Sequence, residues 1–170
     1  MKKRGFTLIE LMVVVAVIGV LTAILVPAVG GLTAKGRDVR RKADISSIAM
    51  ALELFMDKYG RYPTSGESGS DSCSGWRGSD TADFMQVLIT EGFLKTYPAD
   101  PINTGDGCSG YCYSYYLYPV GYAGVPVNFY VLGARILEGG ADPRRTNVAG
   151  ATGRDWSNEF HYLTWGREGY

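Results

Sequence analysis

The N-terminal part of the chain falls into two helical patterns. Residues 11–29, LMVVVAVIGVLTAILVPAV, contain no charged side chain, and a helix over 6–29 would be about 36 Å long at roughly 1.5 Å per residue. That length suffices for a bilayer core of about 30 Å. Further on, Ile45, Ile48, Leu52, Phe55 and Tyr59 recur three and four apart, with Ser46, Glu53, Asp57 and Lys58 elsewhere around the circumference. This is the pattern of a helix with one apolar face, ready to bind a sheet. Ala43, Ala49, Met50 and Ala51 widen that face, either for packing within the same molecule or for a neighbouring copy. Gly60 is the expected stop, with RYPTSG as the turn after it.

Beyond the helix the pattern changes twice. Residues 64–80, TSGESGSDSCSGWRGSD, are rich in Gly and Ser and read as an exposed loop. A short helix is expected over 81–91, with Phe84, Val87 and Leu88 on one side, Ser79 or Asp80 as N-cap and Gly92 as stop. After FLKTYPADPINTGDG the periodicity becomes two: YCYSYYLYP and VPVNFYVLGARIL read as strands around a turn at 121–126, and NEFHYLTWG as a third. Tyr113 and Tyr115 should face one side of the sheet, Ser114 and Tyr116 the other. The implied class is α+β. A long N-terminal helix, transmembrane in its first half and amphipathic in its second, packs on a small antiparallel sheet of three or four strands. Its segments are a span at 6–29, a helical spine at 30–60, and a head at 61–170 holding the loop, the short helix and the sheet.

Composition narrows the function. At 170 residues with 46% hydrophobic and 20% charged side chains, the chain has enough apolar material for a folded core and argues against disorder. Lys plus Arg equals Asp plus Glu at 17 each, so no global charge points to nucleic acid. Arg144 and Arg145 form only a small basic spot. Cys73, Cys108 and Cys112 all follow the apolar run and share one side of any membrane. In an oxidising compartment one disulfide and one spare thiol are expected. Cys73 with either Cys108 or Cys112 is favoured, because it closes a longer loop than a link across CSGYC; the alternative is three free thiols.

The apolar run has its own grammar. Lys2, Lys3 and Arg4 precede it and place the N-terminus in the cytoplasm, although Lys35, Arg37, Arg40, Arg41 and Lys42 beyond it weaken the asymmetry and Asp38 and Asp44 dilute them. The run is longer than the apolar region of a cleaved secretory signal and merges into a helix, so it is retained. Pro27 predicts a kink or local melting at 22–27, helped by Gly19, Gly30 and Gly31. Glu10 stands out, because an ionisable group in a span costs a few kcal/mol and calls for a partner. Nothing else in the span offers one, and the bland reading is a carboxylate snorkelling towards the basic flank.

With those residues in view, KKRGFTLIELMVVVAVIGVLTAILVP resembles the class III signal of type IV pilins and type II secretion pseudopilins. The matching features are a basic leader ending in Gly5, then Phe6, Glu10, a long apolar helix and Pro27 near its end. The segment 94–101 with its YPADP resembles the turn before the sheet in major pseudopilins. The resemblance implies a pilin fold and a leader at 1–5. It implies cleavage after Gly5 by a prepilin peptidase, methylation of Phe6, and pairing of Glu10 with the charged N-terminus of an adjacent copy. Loss of the leader would leave 14 basic against 17 acidic side chains. The implied partners are copies of the same chain, the prepilin peptidase, an inner-membrane assembly platform and the membrane before assembly. No enzymatic activity is implied.

Other motifs read as ordinary structure. GDGCSG satisfies GxGxxG by letter but lacks the strand before and helix after it, so a turn is expected. Asp100, Asn103, Asp106, Asp142 and Asp155 are weak candidate ligands for calcium, which oxygen-rich loops suit, although the resemblance to major pseudopilins implies calcium in an acidic C-terminal loop whose clustered aspartates this chain lacks. His161 has no HExxH or GxSxG beside it and is expected to be a packing or surface residue. The 12 tyrosines suit a sheet without any further role. The reading is a structural subunit that enters the bacterial inner membrane and then polymerises into an extracellular pilus. A periplasmic type II secretion pseudopilus is the alternative, and a monomeric membrane-anchored enzyme or binding module is a third that gives Glu10 and the 5–6 junction no purpose.

Overall fold

The computed structural model describes residues 6–169; residues 1–5, Tyr170 and the side chains of residues 24–30 lie outside the described set. The chain divides into two compact units, Met1–Gly36 and Arg37–Tyr170. Helix α1, Leu8–Tyr59, begins in the first and ends in the second. It stays helical through Pro27, so the expected local melting does not occur. Thr22 satisfies its hydroxyl inside the helix by donating to Ile18 O at 2.8 Å and Gly19 O at 3.0 Å, the usual solution for a threonine in apolar surroundings. At the far end Gly60 takes φ +70° and donates to Met56 O at 2.8 Å, the stop its sequence predicts.

In the second unit α1 lays Ile45, Ile48, Leu52 and Phe55 against a sheet, all fully or nearly fully buried. Tyr59 ends the stripe on the outside, 41% exposed, with its ring 4.5 Å from that of Phe55. Ala51 is buried and Ala49 half-buried, while Ala43 and Met50 point to solvent. The sheet is five-stranded and antiparallel, in the order β1 (Asp71–Cys73), β2 (Trp76–Gly78), β5 (Tyr113–Tyr118), β6 (Phe129–Ala134), β7 (Tyr162–Arg167). The three strands expected from sequence are its centre and one side. The alternation holds: Tyr113 and Tyr115 join Tyr130, Leu132 and Ala134 against the helix, and Tyr116 points to the opposite face.

That opposite face is also buried, which the period-two reading does not anticipate. Phe129, Val131, Tyr118 and Leu163 pack there with Trp76, Val125, Val148, Trp156 and Phe160 into a second core. The residues after β6 therefore form a third layer, and all six residues of β6 are buried, as expected for a strand covered on both faces. Trp156 is its centre: fully buried, ringed by Tyr118, Tyr122 and Phe129, and donating its indole N–H to the Tyr118 hydroxyl at 3.0 Å.

Two hairpins replace expected loops. The Gly/Ser-rich stretch holds β1 and β2, because β2 finds a partner in β5 through Arg77↔Tyr115 and Gly78↔Ser114. GDGCSG is the turn of a second, two-stranded sheet, β3 (Thr104–Asp106) and β4 (Ser109–Tyr111). Gly105 and Gly110 sit opposite each other in it, and a Cβ on either would lie within 2.8 Å of the other's Cα. Backbone approach, not a phosphate, explains these glycines. Cys73 and Cys108 form the disulfide that staples the two hairpins, and Cys112 remains a buried thiol, pushed up to about 11 by its burial. The short helix shrinks to α2, Gln86–Thr90. Met85 adopts a left-handed conformation with φ 55° and donates to Ser68 O at 2.8 Å, so the chain cannot be helical from residue 81. Ser79 does not cap it; its hydroxyl receives the Tyr113 N–H and donates to Asn103 Oδ1. Gly92 does stop it, with φ +80°.

Trp156→Ala is expected to lower the unfolding free energy by about 3–5 kcal/mol, measured by chemical denaturation, because the void opens in the middle of the second core. A loss below about 1 kcal/mol would mean that the third layer contributes no packing energy of its own.

Candidate assembly surface

Every residue from 6 to 23 is exposed, including Phe6 at 78%, Leu8 at 75% and Val20 at 63%. Contiguous apolar surface of this kind marks a place built for a dry partner. Among the residues whose side chains are described, no helix is long and apolar enough to cross a membrane. The uncharged run 11–29 includes residues 24–30, whose side chains lie outside that set. Gly5, the expected cleavage point, lies outside the described residues, and so does the side chain of Pro27.

Glu10 does have a partner within its own chain, contrary to the expectation above. Its Oε2 accepts the Thr7 N–H at 2.8 Å and the Thr7 hydroxyl at 2.7 Å, while the Glu10 N–H lies 3.4 Å from the same hydroxyl. Thr7-x-x-Glu10 is a capping box that occupies donors at the helix start. The spacing was readable, but a charge inside an apolar run draws attention to the membrane instead. Thr7 supplies hydrogen bonds and no positive charge, so the carboxylate keeps its net charge amid exposed Phe6, Leu8, Ile9 and Val13.

In the head, the cations that follow the apolar run are engaged within their own unit. Arg41 has a fully buried side chain that grips Asp100 through two nitrogens at 2.7 and 3.1 Å, Asp38 at 2.7 Å and Glu138 at 2.9 Å, 4.8 Å from the Tyr111 ring. Burial alone would lower the pKa of the guanidinium; the hydrogen bonds it donates to Asp100, Glu138 and Asp38 outweigh burial and raise it. Arg37 also binds Glu138, Arg40 pairs with Asp44 at 3.6 Å, and Lys42 reaches Asp142 at 2.5 Å. Asp38 in turn accepts the N–H groups of Glu138 at 3.0 Å and Gly139 at 2.8 Å. This explains the aspartate of YPADP, which locks its turn to α1 and accepts the Ile102 N–H at 2.8 Å. Sequence reasoning missed this belt because its partners outside α1 lie 59 to 101 residues away.

The scattered oxygen ligands do not converge. Asp100 faces Arg41; Asn103 exchanges hydrogen bonds with Ser79. Asp106 accepts the N–H groups of Cys108 and Ser109, and Asp155 caps Ser157 and Asn158. Asp142 faces Lys42 and Arg144. Asp100 and Asp142 are thus each engaged by cations of the chain itself. Among the described residues the grouping of possible ligand atoms that meets is Cys73, Asp106 and Cys108, whose two sulfurs are bonded to each other. Arg145 donates to Ser157 O at 2.7 Å and Asp142 O at 3.0 Å, so only Arg144 of the basic pair projects outward. His161 Nδ1 lies 3.0 Å from the Leu137 N–H inside the head, a packing role.

Residues 1–26 match the family described as the prokaryotic N-terminal methylation motif. The chain is 33% identical over 150 residues to the type II secretion system core protein G of Pseudomonas aeruginosa, covering 83% of this chain and 90% of the relative. It is 34% identical over 104 residues to the protein of the same name from Escherichia coli K12, covering 59% and 67%. The type IV major pilin protein PilA of Myxococcus xanthus is 39% identical over 61 residues, 36% of this chain and 28% of that one. No solved structure matches the chain significantly.

Two outcomes are expected. Glu10→Gln keeps an oxygen for the Thr7 donors and removes the charge, whereas Glu10→Ala removes both; both variants are expected to insert in membranes and to form no filaments on electron micrographs. Filaments from Gln but not Ala would assign Glu10 to capping alone. Glu138 is held down to about 2 from the usual 4.5, first by Arg37 and then by Arg41. A depressed carboxylate stabilises fully above its unfolded pKa and loses that contribution as pH falls through the folded one. Thermal melts should therefore be flat above about pH 5 and decline towards pH 2, and Glu138→Gln should flatten that decline; an unchanged decline in the variant would contradict the assignment.

Proposed function

From the premise that this chain belongs to the type IV pilin and type II secretion pseudopilin family, a family of structural subunits, we propose that it builds a type IV pilus-like filament through residues 6 to about 58. The observation that carries this reading is the stretch 6–23, helical from Leu8, apolar and exposed throughout, with Glu10 as its single charged side chain. Such a surface is stable in lipid or among copies of itself and not in water. The subunit waits in the inner membrane with its N-terminus in the cytoplasm. A prepilin peptidase removes residues 1–5 after Gly5, the amino group of Phe6 is methylated, and an inner-membrane assembly platform transfers the helix from lipid into the filament core.

Glu10 gives that transfer its register. The amino group created at Phe6 is a cation on each copy, and a carboxylate about 4 Å from it at an effective dielectric of about 20 gains roughly 4 kcal/mol. A slipped neighbour would leave both charges unpaired in apolar surroundings, which costs several kcal/mol. Exchange of the Thr7 donors for the neighbour's amine then accompanies each addition.

The first reading is a filament at the cell surface; the head's cysteines, and its lack of the acidic calcium loop that the resemblance to major pseudopilins implies, support it over a pseudopilus. A periplasmic pseudopilus is the second reading, favoured by one observation: the relative covered to 90% of its length bears the name type II secretion system core protein G. Mass spectrometry of the purified protein tests the shared part, and an N-methylated Phe6 at the start is expected; an intact Met1 would overturn it. Micrographs of cells with and without the gene then decide the site: surface fibres that vanish with it support the pilus, and unchanged fibres with lost protein secretion support the pseudopilus.

A further inference from the structure

The C-terminal layer of the head must be tied to the helix, and in this molecule several of the ties are made by the chain's own cations. Asp142 sits at the junction with its side chain 2% exposed. Oδ2 meets Lys42 Nζ at 2.5 Å and Arg144 at 3.2 Å; Oδ1 accepts the Arg144 N–H at 2.9 Å and its Nε at 3.3 Å; the carbonyl oxygen accepts Arg145 at 3.0 Å. Arg145 carries the connection on to Ser157 O at 2.7 Å. One turn earlier on α1, Arg37 and Arg41 hold Glu138, and Asp38 holds the backbone beyond it. A divalent ion stabilises a loop by gathering carboxylate and carbonyl oxygens around one positive centre. Here the cations come to the oxygens instead: Lys42 and Arg144 meet the Asp142 carboxylate, Arg145 its carbonyl, and Arg37 and Arg41 the Glu138 carboxylate.

We propose that Lys42, with Arg145 and the Arg37–Arg41 pair behind it, replaces a calcium ion as the cross-link between α1 and the C-terminal layer, so that the head folds without a divalent metal. An ammonium fixed to the helix is always present and cannot be removed by a chelator. Lys42 also covers the ring of Tyr162 on β7 at 5.5 Å, so the same side chain touches helix, sheet and C-terminal layer. The arrangement makes head stability indifferent to the calcium level outside the cell and dependent on one lysine.

The test is a thermal melt of the full chain in detergent micelles, with excess calcium or with EDTA. The wild-type protein is expected to melt at the same temperature in both. Lys42→Met, which keeps the stem and removes the charge, should lower the midpoint by roughly 5 °C or more. Lys42→Arg should recover most of the loss, and Lys42→Met with Asp142→Asn should lose less than Lys42→Met alone, since the acid left unpaired is then gone. If Lys42→Met fails to fold, the double variant and Lys42→Arg decide the matter in the same way. A wild-type midpoint that falls in EDTA would overturn the proposal, as would a Lys42→Met midpoint equal to wild type. Filament formation is not read, so a failure here is distinct from a failure of the assembly role.

Discussion

An apolar helix exposed around its whole circumference has no stable place in water, and everything else in this molecule follows from that constraint. Residues 6–23 are exposed throughout, and the hydrophobic effect drives such surface into lipid or against more of itself. The two environments are alike in polarity, so moving between them is cheap for leucine and valine. They differ for a carboxylate. Within its own chain Glu10 has Thr7, whose donors ease desolvation without cancelling the charge; in the proposed filament a neighbouring copy adds a full positive charge. Under that proposal one acid in an otherwise uniform surface distinguishes the assembled state from the dissolved one, and a particular register from its slipped alternatives.

In the proposed filament the head has the complementary task of staying folded while its helix changes surroundings. Its sheet is covered on both faces, by the second half of α1 on one and by the C-terminal layer on the other, and neither core includes any of residues 6–23. The ionic belt fastens both non-helical layers to a short stretch of α1, with Arg41 fully buried among three acids. Buried charges of this kind add less to stability than apolar packing would, but removal of any one partner leaves its neighbours unpaired, which makes the junction specific. The disulfide does the same for the hairpins: it closes a stretch of 35 residues, a restriction worth about 4 kcal/mol in a chain-entropy account.

What was legible in the sequence is what repeats locally. Ile45, Ile48, Leu52 and Phe55 announce a buried helix face by spacing alone, and Tyr113 and Tyr115 announce a sheet face by alternation; the structure keeps both. The hairpin β1–β2 was hidden because three-residue strands have no periodicity of their own and exist through their partner β5 and the Cys73 staple. The helix expected over 81–91 lost its first half to a single long-range hydrogen bond from Met85 to Ser68. The second core was hidden because Trp156, Val148 and Val125 come from segments without regular spacing. The belt was hidden for a related reason: Arg41 and Asp100 look like ordinary surface charges until the fold brings them together. At the assembly surface, Glu10 and Phe6 stood out at once, while Thr7 three residues upstream of the acid did not.

A filament structure resolved to side chains is the most direct test of the central claim. The account predicts the Glu10 carboxylate of each copy within salt-bridge distance of the Phe6 amino group of an adjacent copy, with the Thr7 donors released or shared. A filament in which Glu10 stays bound to its own Thr7 alone, or faces water with no cation beside it, would contradict it.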